Sequence, residues 1–263
     1  MPAAGLNGSS VGSSFKASDG VEIRYTVFGA PRGIPVVLHH GFAADTKTNW
    51  LVTGLVSALT DAGHCVVCLD ARGHGQSEKP HDPALYGEHA MARDLRELFD
   101  RLRAPSYDMV GYSMGAIVAL LVATTDTRVR RLVLGGIGAG AVELGGVDTR
   151  ALSPAAVVKA LETENPATIA DPLALQFRAF ADAIEADRAA LAAHAQAVHA
   201  RPIAFAQIAA PTLLLAGDDE PLATRPEVLA NAIAGAELRR LRGDHMSALF
   251  DPEFKKALVT FLA

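Results

Sequence analysis

Five short apolar runs punctuate the chain: IPVVLHHG, HCVVCLD, SYDMVGY, VRRLVLGGI and APTLLLAG. Each is apolar and too brief for a buried helix, the first of them β-branched, so each reads as a fully buried strand. Between the first four lie stretches that read as helices, near 48–62, near 88–103 and from Ser113 to about Thr125. Strands alternating with helices require crossover connections, which build a mostly parallel sheet covered by helices on both faces. Residues 14–28, SFKASDGVEIRYTVF, add two strand-like segments around Asp19-Gly20, a dipeptide suited to a hairpin turn. From about 141 to 202 the strand runs stop, and Ala-rich helical segments such as SPAAVVKALETE take their place. This reads as an inserted helical cap. The strand pattern resumes at APTLLLAG, followed by a helix near 225–234, the short strand AELRRL and a last helix from about Ser247 to Leu262.

The 263 residues suffice for one sizeable core, and a half-hydrophobic, one-fifth charged composition is that of an ordinary globular protein. A net charge of -5 without a long basic run gives no electrostatic footprint for nucleic acid. MPAAGLNGSSVGSS has neither the positive start nor the apolar stretch of a secretory signal, so residues 1–13 read as a flexible tail before a domain at 14–263. No run reaches the roughly 18 to 20 apolar residues needed to span a bilayer, which leads to the expectation of a soluble, cytoplasmic protein. Two cysteines, Cys65 and Cys68, form a C-x-x-C, but the VV between them implies a strand, on which positions three apart face opposite sides. A redox or zinc role is therefore not expected. GGIGAGAVELGG holds only fragments of a dinucleotide fingerprint.

The chemistry centres on Gly111-Tyr112-Ser113-Met114-Gly115, a G-x-S-x-G where an apolar strand runs directly into a helix. A sharp turn there needs small residues on both sides and lifts the serine oxygen above the sheet. Serine is a poor nucleophile at neutral pH and needs a histidine base oriented by a carboxylate. With this elbow the order is nucleophile, acid, histidine. His245, in RLRGDHMS, falls on a loop after the last strand. His194 and His199 fall within the helical cap, where solvated or packed helix positions are the better reading. His39 and His40 are not expected to bind metal, since adjacent histidines at a strand end point apart and no third ligand is apparent.

These ordered motifs resemble those of the α/β-hydrolase family over about residues 14–262. HHGFAADTKTNW is similar to the family's His-Gly oxyanion segment, DARGHGQSEKP to its loop after the following strand, GYSMG to its nucleophile elbow, and RGDHMSALFDPEFKKALVTFL to its terminal histidine segment and helix. The resemblance implies an α/β-hydrolase fold: an eight-stranded, mostly parallel sheet flanked by helices with an inserted cap. It also implies backbone amides at Phe42 and Met114 as the oxyanion hole. The family's acid usually lies three residues after the glycine ending its strand, and counting from Gly217 reaches Glu220, with Asp218 and Asp219 as alternatives. In DARGHGQS, Asp70, Arg72, His74 and Ser77 are expected to hold a glycine-rich loop. Haloalkane dehalogenases and epoxide hydrolases of this fold need an aspartate where Ser113 stands, so neither activity is expected.

The implied function is cofactor-free hydrolysis of an ester-like small molecule, a carboxylic ester or thioester, through an acyl-enzyme on Ser113. Phe177, Phe180, Leu173 and Ile184 of the cap are available to wall a pocket for a substrate with an apolar part. The same site could serve perhydrolase, lyase or carbon-carbon bond hydrolysis, or a ligand receptor that turns over slowly. The expected partner is that small molecule, with no nucleic acid or membrane, and the sequence is compatible with a homo-oligomer.

Overall fold

The computed structural model describes residues 10–263. Eight strands form one sheet: β1 (Ser10–Lys16), β2 (Glu22–Phe28), β3 (Val36–His39), β4 (Val66–Asp70), β5 (Tyr107–Tyr112), β6 (Val129–Gly135), β7 (Thr212–Gly217) and β8 (Glu237–Leu241). Their order is β1-β2-β4-β3-β5-β6-β7-β8; β1 and β2 run antiparallel, and β4 through β8 are mutually parallel. The expected hairpin is present, with Gly20 at φ 92 in its turn, but β1 begins at Ser10 and pairs Ser10 with Phe28. Residues 10–13, expected to be tail, are thus a strand edge, because the backbone pairing with β2 continues past Phe15, the one buried side chain of β1. The remainder of that expected tail, 1–9, lies outside the described residues.

The nine helices among the described residues are α1 (Leu55–Asp61), α2 (Glu88–Leu102), α3 (Met114–Ala123), α4 (Ala139–Glu143), α5 (Pro154–Glu162), α6 (Pro172–Ala183), α7 (Arg188–Ala195), α8 (Pro226–Ala232) and α9 (Pro252–Leu262). Strand periodicity divides the core in two. Val37, Val67, Leu69 and Met109 face the layer of α2 and α3, while Val36, Leu38, Val66, Cys68 and Val110 face the layer holding Trp50, Leu55, Phe254 and Leu258 of the α1 and α9 side. Every residue of α3 is buried, which explains its unrelieved apolar sequence.

Element ends follow local chemistry. The helix expected near 48–62 is two pieces, a helical turn at Lys47–Leu51 and α1, separated at Gly54 with φ 74. The last helix starts at Pro252 rather than Ser247, since Asp251 caps it and Pro252 takes the first helical position, where its missing N–H is no loss. The cap is α4 to α7; Ser153-Pro154 and Asp171-Pro172 start α5 and α6 in the same way. Its own apolar centre joins Val157, Leu161, Phe177 and Leu191 to Ala43 and Leu222 of the sheet domain, so cap and sheet share one interface. No helix among the described residues is long and apolar enough to cross a membrane.

Candidate active site

The chain moves outward from β3 to β4, then crosses back to place β5 on the other side of β3. In open α/β sheets a crevice forms at such a reversal, beyond the carboxyl ends of the strands. β3 ends at His39, opposite Gly111 of β5, so the Gly41-Phe42 loop and Ser113 emerge side by side. Ser113 has φ 53 and ψ -117, a strained conformation for a residue with a Cβ. The flanking glycines are dictated by contact: a Cβ on Gly111 would lie 2.2 Å from the Gly115 carbonyl oxygen, and one on Gly115 would lie 2.1 Å from that of His39. Ser113 N–H donates to Gly135 O at 2.8 Å, anchoring the turn to β6.

Over this turn the Ser113 hydroxyl donates to His245 Nε2 at 3.0 Å, and His245 Nδ1 donates to Glu220 Oε1. A carboxylate only accepts, so the Nδ1–H tautomer is fixed and Nε2 is left as the acceptor. The second Glu220 oxygen accepts from Gly217 N–H at 3.1 Å. All three side chains are buried, whereas Asp218 and Asp219 are exposed. Of the three candidate acids, the structure brings Glu220 to His245. Tyr112, to which the sequence analysis gives no role, holds the histidine's backbone: its hydroxyl donates to His245 O at 2.7 Å. Burial and the Glu220 carboxylate push the Tyr112 phenol well above its ordinary value, so it remains a donor.

The Phe42 and Met114 amides have no hydrogen-bond acceptor among the described residues. They flank Ser113: a Cβ on Gly41 would sit 3.3 Å from Ser113 Cβ, and Met114 is the first residue of α3, whose amino end adds its positive dipole. The Gly41 loop is held from behind. Its N–H donates to Asn49 Oδ1 at 3.0 Å, a contact sequence reasoning missed. His40 accepts Ala71 N–H at Nε2 (3.0 Å) and donates from Nδ1 to Gly41 O (2.8 Å), a neutral state favoured by burial, which holds its pKa below the ordinary histidine value. The rings of His39 and His40 do not point apart as expected. They stack at 5.6 Å because His40 has already left β3 and strand alternation no longer governs it. No cluster fit to hold a metal occurs among the described residues.

The DARGHGQS loop is braced as expected. Asp70 accepts Thr46 and Gln76 amides at 2.9 and 2.8 Å, and the Ser77 hydroxyl donates to Asp70 O. Arg72, fully buried, makes a two-pronged pair with Asp94 (2.8 and 2.7 Å) and a second pair with Asp19 (2.8 Å).

Two cavities meet at this site. One is lined by Ser113, Met114, Phe42, Val147, Asp148, Leu152, Val157, Leu222, Glu88 and His194. The other is lined by His245, Gly41, Phe42, Phe177, Phe180, Met246 and Phe250. Phe42 and Phe177, their rings 5.9 Å apart, stand between them. Phe177 and Phe180 wall the site, and Leu173 lies beside them; Ile184 lines neither cavity. His194 is a packed helix position, as expected: it is buried on α7 against Phe42, His74 and Tyr86, and it also lines the wall of the first cavity. His199 lies beyond the end of α7, outside any helix.

A nucleophile elbow, a histidine-carboxylate pair and two free amides at the carboxyl edge of this sheet define the α/β-hydrolase class. The α/β hydrolase fold family model matches residues 34–143. A hydrolase from Pseudomonas aeruginosa superposes over 96% of this chain and 98% of its own, with a TM-score of 0.77 and 28% identity. The chain has the α/β-hydrolase fold. Among curated relatives, non-heme chloroperoxidase of Streptomyces lividans is 36% identical over 124 residues, 44% of this chain and 41% of the relative. Epoxide hydrolase A of Mycobacterium tuberculosis is 35% identical over 101 residues, 38% and 30% of the two chains. This chain thus aligns with less than half the length of these curated relatives.

Proposed function

We propose that this protein hydrolyses a carboxylic ester or thioester of a small molecule through an acyl-enzyme on Ser113, with His245 as base, Glu220 as its orienting acid and the Phe42 and Met114 amides as the oxyanion hole. The observation that carries the reading is the hydrogen-bonded line from Ser113 Oγ through His245 to Glu220, beside two unoccupied amides. Ser113 Oγ attacks the carbonyl carbon as its proton passes to His245 Nε2, and the carbonyl oxygen gains negative charge between the two amides. Each such donor is worth about 3 kcal/mol of barrier where one has been removed from a comparable site. The tetrahedral intermediate collapses, His245 returns the proton to the leaving oxygen or sulfur, and water then repeats the sequence on the acyl-enzyme.

The proton return assigns the two cavities. The leaving group must present its heteroatom to His245 and so occupies the cavity lined by His245, Phe180 and Phe250. The acyl group occupies the cavity over Ser113 and Met114. Both are mainly apolar, which favours a substrate with apolar parts on either side of the scissile bond. Serine rather than aspartate at position 113 argues against chemistry through an alkyl-enzyme ester.

The test is reaction of the protein and of Ser113→Ala with an activated short-chain aryl ester, and with a fluorophosphonate followed by intact mass. A burst and a single adduct in the wild type, both absent from Ser113→Ala, are expected. A wild type that neither labels nor turns over would refute the reading and favour a ligand receptor.

A further inference from the structure

One polar side chain in the wall of the acyl cavity is buried, unused by the mechanism and without a hydrogen-bond partner. His194, in the last turn of α7, is 1% exposed, yet neither of its ring nitrogens has a hydrogen-bond partner. Buried polar atoms without partners are uncommon, because each loses its hydrogen bonds to water and gains nothing in return. The ring is also held in one pose. It stacks on Tyr86 at 5.8 Å and meets Phe42 and His74 edge-on at 5.4 and 5.7 Å. The orphaned imidazole thus stands in the wall of the cavity whose floor is Ser113 and Met114, next to the residue that supplies an oxyanion amide.

From this placement we infer that His194 is a specificity-determining residue that hydrogen-bonds a hydroxyl on the acyl part of the substrate, so that hydroxyacyl esters are preferred to their unsubstituted counterparts. The inference rests on the assignment of the acyl cavity made above. Burial drives the His194 pKa down to about 3, so the ring is neutral and offers one N–H donor and one nitrogen acceptor. A hydroxyl answers both. A carboxylate on the substrate would face Glu88 and Asp148 on the same wall. Asp148 is itself engaged by Arg150 and Thr224 and leaves no free cation to receive it. Val147, Leu152, Val157 and Leu222 surround the remainder of the cavity, so an otherwise hydrocarbon acyl chain with a single hydroxyl matches it.

The experiment compares kcat/KM for aryl butyrate with that for aryl 2- and 3-hydroxybutyrates in the wild type, His194→Phe and His194→Gln. The wild type is expected to favour one hydroxy ester by about tenfold or more, the size of one hydrogen bond made in a site built for it. His194→Phe should abolish that ratio, whatever its absolute rates, and His194→Gln, which keeps a donor and an acceptor, should restore part of it. No preference in the wild type, or a preference unchanged in His194→Phe, would overturn the inference. A second readout needs no turnover: in Ser113→Ala, the His194 ring nitrogen resonances should move on adding methyl 3-hydroxybutyrate and not on adding methyl butyrate. Movement with both esters or with neither would count against it. Movement specific to the hydroxy ester in a protein that a fluorophosphonate fails to label would remove the hydrolase reading and keep this one.

Discussion

Glu88 should make the protein less stable as pH rises from the acid range toward neutrality, and Glu88→Gln should remove that dependence. The residue opens α2, is almost fully buried, and accepts His199 N–H at 2.6 Å, tying the end of the cap to the sheet domain. Burial raises its pKa from the ordinary 4.5 to about 7, against the lowering effect of its backbone hydrogen bonds. Between these two values the folded protein keeps a proton that the unfolded chain has released. The folded state therefore binds more protons, and stability falls as pH climbs from about 4.5 to about 7. Above that window the loss levels off at about 3 kcal/mol, the free-energy equivalent of the displaced pKa. Glutamine keeps an oxygen for His199 N–H and does not titrate.

Urea unfolding of both proteins at half-unit steps from pH 4.5 to 8.5 isolates the effect, because groups that titrate alike in the two proteins cancel in the difference. Any pH-independent cost of the amide displaces the difference curve without changing its shape. The curve should rise in favour of Glu88→Gln by about 3 kcal/mol, most steeply between pH 5 and 7. A curve flat to within about 1 kcal/mol, or one that falls, would refute the claim that this carboxyl is buried at the wall of the cavity over Ser113.

Other substitutions test the site and its frame. Glu220→Gln should lower turnover by about 10³- to 10⁴-fold with circular dichroism unchanged, by analogy with loss of the orienting carboxylate elsewhere. Asp218→Asn and Asp219→Asn should each stay within about twofold in the same assay, and a dominant loss at Asp219 would refute the geometry. Gly115→Ala should cost about 3 kcal/mol or more in urea unfolding, since its Cβ meets the His39 carbonyl; Gly12→Ala, whose Cβ meets nothing, should fall within about 0.5 kcal/mol. Arg72→Met should cost about 3–5 kcal/mol by the same measurement, because it leaves the Asp94 carboxylate buried without its cation.

The sheet was legible because buried parallel strands are continuous apolar runs, and each of the five central runs became a strand. Ser113 was legible for a related reason, since it falls at a strand end where the chain has little freedom, and His245 falls on the short loop after the last strand. Glu220 was reached by counting from Gly217. That count succeeds because the turn after β7 is short and Gly217 N–H is itself bonded to the Glu220 carboxylate. Where three-dimensional packing rather than local pattern decides, the sequence said less. The Ala-rich stretch 171–200 gives no sign that it breaks at Glu185, which takes φ 55 between α6 and α7. Alanine at most cap positions lets the helices approach closely but carries little directional signal, so the inward turn of His194 was invisible. Asn49 and Tyr112 act through single hydrogen bonds to backbone, which no spacing announces.

Phe42 shows why the catalytic and selective parts of this site differ in legibility. Its amide belongs to the sheet domain, fixed by the Gly41 loop and by Asn49, and would be supplied by almost any residue. Its side chain belongs to the cap interface, where it touches Phe177 and His194 and separates the two cavities. The backbone contribution is set by elements within a few residues and is written in the His-Gly motif. The side-chain contribution is set by helices some 135 to 150 positions away, and changes whenever they repack. Under the proposed function, catalysis and choice of substrate meet on one residue through different atoms, so the cap can alter what is bound while the amide proposed to stabilise the oxyanion stays in place.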